Sequence, residues 1–171
     1  HRLDKETSGL IVIAKNQSAF DHLKKLFQTH EIHKHYYALV HGRPKESSGV
    51  INAPLGRIGM KRTTKIEGKK MIDSKESVTE YRTVRNFEKY TLLDVAPKTG
   101  RTHQIRVHLK SIGCPVAGDF VYAPKGWQDP EGLNRLFLHA YKLEFSTPDS
   151  KSLAIEVDLP EDLQNVINKL K

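Results

Sequence analysis

The sequence predicts an α+β domain built on a largely antiparallel sheet. Three observations carry that prediction. Short apolar runs rich in β-branched residues recur along the chain, and only three stretches show the period of a helix. The order is mostly strands, with the three helices set between them. The 171 residues, 37% hydrophobic and 28% charged, match one globular domain with its own core.

The elements follow in order. Leu10 to Ala14 is a continuous apolar run between Gly9 and Asn16 and predicts a buried strand. From Asn16 to about His30, Phe20, Leu23, Leu26 and Phe27 keep helical spacing, with Asn16 or Ser18 as N-cap. Tyr36 to Val40 predicts a strand stopped by Gly42 and Pro44. Val50 to Leu55 predicts a short strand broken by Pro54, opening into a basic, glycine-bearing stretch. Val78 to Val84 alternates as a half-buried strand does, and Tyr90 to Val95 forms another across the turn at 86–89. Thr102 to Ile112 reads as a helix with Ile105, Leu109 and Ile112 as its apolar stripe. Residues 115–132 are loop-rich. Leu136 to Phe145 and Leu153 to Leu159 predict two strands joined by the turn Thr147-Pro-Asp-Ser150. Pro160 opens a last helix at its favoured first position, with Leu163, Val166, Ile167 and Leu170 facing inward.

Composition narrows the function classes. No apolar run approaches the roughly 18 to 20 residues of a membrane span, so no membrane partner is expected. Cys114 is the single cysteine, which excludes an internal disulfide and any cysteine-rich zinc site; a cytoplasmic protein is expected. His30, His33, His35 and His41 cluster in sequence, but nothing completes a ligand set at zinc-like spacing, and no metal is expected. The formal charge of +8 favours a polyanionic partner, and its distribution is uneven. Arg57, Lys61, Arg62, Lys65, Lys69, Lys70 and Lys75 face only Glu67 and Asp73, whereas residues 144–162 carry six acids against Lys151 alone. A charge run of this kind is equally a solvated face.

Three strings carry chemistry. The first is His1-Arg2-Leu3-Asp4-Lys5-Glu6-Thr7-Ser8-Gly9, which sets Asp4 between basic residues just before a glycine turn. A carboxylate there can serve as nucleophile or base, or it can simply close a loop as an Asx turn. The second is Lys34-His35-Tyr36-Tyr37-Ala38, where adjacent tyrosines on a strand must face opposite ways. The third is Gly100-Arg101-Thr102-His103-Gln104-Ile105-Arg106-Val107-His108, with Arg101 at a helix start and Arg106 free to face a cleft. A cation within about 4 to 6 Å of Asp4 would favour its ionised form and fix its direction. Pro115-Val-Ala-Gly-Asp119 with Tyr122, and Leu136-Phe-Leu-His139-Ala140, read as structural, His139 being a core or cleft-wall histidine.

Together these strings resemble the signature of the RluA family of RNA pseudouridine synthases: H-R-L-D-x-x-T-S-G, K-x-Y-x-A, G-R-T-H-Q-I-R-x-H, P-x-x-G-D-x-x-Y-G (with Ala123 in place of the last Gly) and L-H-A. The resemblance implies a mixed, bent antiparallel sheet flanked by helices, with the cleft across its middle. It implies Asp4 as the essential carboxylate, Tyr36 as support for the target base and helper in removing the carbon-5 proton, and Arg106 as the partner that orients Asp4. Apart from the resemblance, the place of Arg2 two residues before Asp4 suggests that it fills the gap left by a flipped base, and the basic run and the helix start suggest that Lys61, Arg62, Lys65 and Arg101 contact RNA. The implied reaction isomerises uridine to pseudouridine in structured ribosomal or transfer RNA, with no cofactor or metal, and the run Gly132 to His139 leans towards the large-subunit ribosomal members. The implied protein is a monomer in which residues 1–171 form one catalytic domain. That domain lacks an upstream strand motif of the N-K-P type, and its Ile11 and Ile13 need cover. A non-catalytic RNA-binding module is the alternative, but it would not need Asp4, Tyr36 and Arg106 in register.

Overall fold

The computed structural model describes residues 1–59, 61–64 and 71–171. Its central feature is a mixed, mostly antiparallel sheet whose three middle strands are β2 (His33–His41), β8 (Tyr90–Pro97) and β9 (Leu138–Ser146). Strand β8 continues into β7 (Val78–Asn86) and β3 (Ser48–Asn52). The far edge of β9 is shared by the two-residue β1 (Ser8–Gly9), which runs parallel to it, and by β10 (Ser152–Glu156), which runs antiparallel.

Side chains alternate across this sheet as strand geometry requires. Tyr36, Ala38, Val40, Leu93, Val95, Leu138 and Ala140 point to one face, where Ile105 and Leu109 of α2 (Gln104–Ser111) cover them. Leu39, Tyr90, Leu92 and Phe137 serve the other face, sealed by Leu163, Val166 and Ile167 of α3 (Glu161–Lys169). Tyr37 falls on this second side and stacks on Tyr141 with ring centroids 3.9 Å apart. The pairing of β2 with β9 slips between His35 and Tyr36, so that His35 faces Lys142, Tyr36 faces Ala140 and Tyr141 is left over as a bulge.

Asn16 caps α1 (Gln17–Gln28) by accepting the Ala19 N–H at 2.8 Å. The expected strand from Val50 to Leu55 divides at Pro54. Its second half becomes β4 (Leu55–Ile58), the middle of a separate three-stranded sheet with β5 (Lys61–Thr63) and β6 (Ile72–Lys75). The expected helix from Thr102 starts two residues later, because His103 has φ 57 and cannot be its first turn.

One expectation fails outright. Leu10 to Ala14 forms no strand: the ladder ends when the Leu10 N–H reaches the Ala140 carbonyl at 2.9 Å. Leu10 and Val12 pack on Leu23, Leu26 and Phe27, while Ile11 and Ile13 stay 50% and 76% exposed. β-branched residues favour a strand only where a neighbour offers a ladder, and no described strand runs beside this one.

Candidate active site

Asp4 owes its position to Gly9. The chain turns tightly after Asp4, with the Thr7 N–H bonded to the Asp4 backbone carbonyl at 3.0 Å, and is then anchored on β9 through β1. Gly9 has φ 114, and a Cβ there would stand 2.2 Å from the Ala140 oxygen, so no other residue brings the turn so close. Because the backbone carbonyl closes the turn, the carboxylate is left out of it. An Asx turn is therefore not what Asp4 makes.

The carboxylate faces two side chains from the segment before and along α2. Arg106 Nη1 lies 3.6 Å from one oxygen and His103 Nε2 4.0 Å from the other. The guanidinium fork itself is turned elsewhere. Arg106 donates Nε–H and Nη2–H to Asp119 at 2.7 and 2.8 Å, a bidentate pair in which the Asp119 side chain is fully buried. Asp119 also accepts the backbone N–H groups of Val121 and Tyr122, each at 3.0 Å. Burial works against the Arg106 charge, but the bonds and charges of Asp119, with Asp4 behind them, outweigh it and hold its pKa above the usual arginine value. Arg106 thus meets Asp4 with its remaining nitrogen, Nη1, already fixed in direction by a second carboxylate.

His103 is held as firmly. Its Nδ1 lies 2.8 Å from the Tyr122 hydroxyl. Tyr122 is 3% exposed, so this bond is sheltered from water. Burial, and the Arg106 charge after it, lower the His103 pKa and favour the neutral ring. Its left-handed backbone is the kind of local strain that a functional position retains.

Tyr36 enters the same cleft from β2, 8% exposed. Burial, with the Asp4 charge adding to it, pushes its phenol up to about 12. At neutral pH Tyr36 therefore meets a ligand as a neutral hydrogen-bonding ring. The cleft is an indentation of about 200 Å³ whose walls also include Arg2, Thr7, Lys34, Phe27 and Arg101. Arg101 and Arg62 border an adjoining groove, which carries the cleft towards the small sheet, where Lys61 is exposed. Arg57 is paired with Asp73. Lys65, Lys69 and Lys70 lie outside the described residues.

The rest of the third motif string fixes α2 to the sheet. Gln104 donates to the Val78 carbonyl and Thr79, and His108 joins Thr79 to the Ala53 carbonyl at 2.8 and 2.9 Å. His139 lies on β9 with its Nδ1 2.8 Å from the Ser8 hydroxyl, and its Nε2 has no hydrogen-bond partner among the described residues. Among those residues no group of His, Cys, Asp or Glu is gathered as a metal set, and no helix is long and apolar enough to cross a membrane.

Comparison with known proteins gives one answer. The family model described as RNA pseudouridylate synthase matches residues 1–111, a span that includes Asp4, Tyr36 and Arg106. A protein named ribosomal large subunit pseudouridine synthase C from Vibrio vulnificus is 37% identical over 175 residues, covering all of this chain and 54% of its own length. One named ribosomal large subunit pseudouridine synthase D from Nitrosomonas europaea is 40% identical over 178 residues, again over the whole chain and 50% of its own length. The chain thus spans about half the length of the curated relatives it matches. Among solved structures, human RNA pseudouridylate synthase domain containing 4 superposes with a TM-score of 0.83 at 27% identity, covering 100% of this chain and 75% of that one. With the motif strings, the sheet and the family match in agreement, the chain belongs to the RNA pseudouridylate synthase family, in the RluA group that its sequence resembles.

Proposed function

We propose that the protein isomerises uridine to pseudouridine in structured RNA, and that Asp4 is its essential carboxylate. The observation that supports this most is the Asp4 side chain itself. It is free of the turn that carries it, open to the cleft, and aimed by Arg106 and His103. A loop-closing aspartate needs none of this.

The reaction breaks the bond between ribose carbon 1 and uracil nitrogen 1, turns the base, and joins carbon 5 to the ribose. Carbon 5 loses a proton and nitrogen 1 gains one, so no redox partner is called for and the reading includes no cofactor or metal. Uridine must leave its stack to reach Asp4. Asp4 then attacks the ribose or the base, or removes a ribose proton. Tyr36 forms a wall of the base site. As a phenol with a pKa of about 12 it accepts the carbon-5 proton only after giving up its own. Arg2, exposed at the rim, fills the place of the flipped base, while Arg101, Arg62 and Lys61 offer phosphate contacts along the adjoining groove. The names of the relatives favour large-subunit ribosomal RNA over transfer RNA as the target. The protein is read as a cytoplasmic monomer.

A non-catalytic RNA-binding module would use the same cations but gives Asp4 no task. Mapping pseudouridines in RNA from cells lacking the gene separates the two. The expected result is the loss of one or more sites, restored by the native gene and not by Asp4→Asn. An unchanged map overturns the proposal.

A further inference from the structure

Among the described residues Lys34 is a largely buried cation without a counter-ion. It is 9% exposed, yet its ammonium makes no hydrogen bond or ion pair among the described residues. Its one compensating contact is the face of Phe27, 5.7 Å from Nζ, and Phe27 is itself stacked on His1. Gly100 passes beside it, close enough that a Cβ there would lie 3.9 Å from Nζ. Burial draws its pKa below the ordinary lysine range.

A charge so largely withdrawn from water, meeting it only through the cleft, is costly, and a cation–π contact returns only part of that cost. What remains open to Lys34 is the cleft, whose wall it helps to form. It stands two residues before Tyr36 on β2, so both side chains leave the same face of the sheet, roughly 6.6 Å apart along the strand. The other charged side chains on that wall are Arg2 and Arg101 against Asp4 alone, and Asp4 is not within ion-pair reach of Lys34. The missing partner is therefore an anion brought in from outside. Uracil is neutral, which leaves the sugar–phosphate backbone.

We infer that Lys34, with the Phe27 face beside it, forms a subsite for an RNA backbone phosphate, namely a phosphodiester next to the nucleotide whose base lies against Tyr36. The inference rests on the RNA reading above. The ammonium suits this task because it is a compact point charge able to follow a phosphate as the nucleotide enters. Occupation of the site also relieves the uncompensated charge, so the subsite is loaded only when a strand has entered deeply.

The test uses the full-length protein and a labelled single-stranded oligouridylate, with binding followed by fluorescence anisotropy over a range of salt concentrations. Lys34→Met is expected to weaken binding roughly fivefold or more at low salt and to reduce the slope of log K against log salt by about 0.7, the loss of one phosphate contact. Lys34→Arg should keep the slope. The Met variant should also melt no lower than the native protein, since an unpaired buried charge has gone. A second measurement needs no variant: reductive methylation of Lys34, read by mass spectrometry, should be slowed by oligouridylate and not by the same oligomer with an uncharged methylphosphonate backbone. A folded Lys34→Met protein with an unchanged slope overturns the inference, as does equal protection by both oligomers. Native protein that binds neither oligomer would defeat the RNA reading first, and this inference with it.

Discussion

Asp119 and Asp4 approach Arg106 from two regions of the molecule, the closed turn after Gly118 and the open mouth of the cleft. Both turns are pinned by a glycine against backbone: Gly118, φ 75, sits where a Cβ would be 2.1 Å from the Arg135 oxygen, much as Gly9 sits on Ala140. The carboxylates nevertheless end in opposite conditions. Asp119 is fully buried and uses its oxygens on four N–H groups, whereas the Asp4 side chain keeps 18% exposure and only loose ionic neighbours. The difference teaches that one arginine can be held by one acid and offered to another. Saturating Asp119 leaves Asp4 open to the cleft.

Removing each acid in turn tests this most severely. Asp4→Asn is expected to abolish pseudouridine formation in a tritium-release assay, with RNA affinity lowered by less than about tenfold and the melting point nearly unchanged. Asp119→Asn should instead reduce stability by about 3–5 kcal/mol, because it strips a buried guanidinium of its partner. If the two variants exchange these phenotypes, the division of labour described here is wrong.

Arg106→Lys comes next in size. An ammonium cannot keep a two-point bond to Asp119 and still extend a third donor to Asp4. Most activity should be lost, with a smaller fall in stability than for Asp119→Asn. Activity near the native level would mean that Asp4 does not depend on a fixed donor.

The smallest effect belongs to Tyr36 and appears only in alkali. A phenol whose folded pKa is about 12, against about 10 when unfolded, keeps its proton longer in the native state. Its contribution is complete below pH 10 and is lost as pH rises towards 12, at about 1.4 kcal/mol for each pH unit between. Urea midpoints at pH 9 and pH 11 should therefore fall less for Tyr36→Phe than for the native chain. Equal falls would place the phenol in a wetter site than the cleft wall.

The meeting of Asp4, Tyr36 and Arg106 is legible in the sequence, because all three lie inside motif strings long enough to resemble one family. What those strings hide are the other contacts between them. Asp119 reads as a turn residue, and nothing in its neighbours announces that it clasps an arginine 13 residues earlier. The left-handed backbone of His103 is equally invisible, since a histidine before a helix reads as an ordinary cap region. Lys34 is conspicuous only once its burial and its lack of a partner among the described residues are known together. The misread stretch from Leu10 to Ala14 shows the converse. Local apolar pattern predicts a strand, but pairing is a property of two segments.

The leftover residue at Tyr141 resets which way β9 looks. Before it, Leu138 and Ala140 turn towards α2; after it, Leu143 turns to the same side and seats α1 through Leu26 and Ile32. Without the extra residue, strict alternation would send Leu143 to the opposite face and bring Lys142 under α1. One amino acid thus sets the parity of the strand's second half. A relative that gained or lost a residue at this point could retain both helices only by restoring that parity within the strand, which makes this short stretch intolerant of length change although Tyr141 itself never touches the cleft.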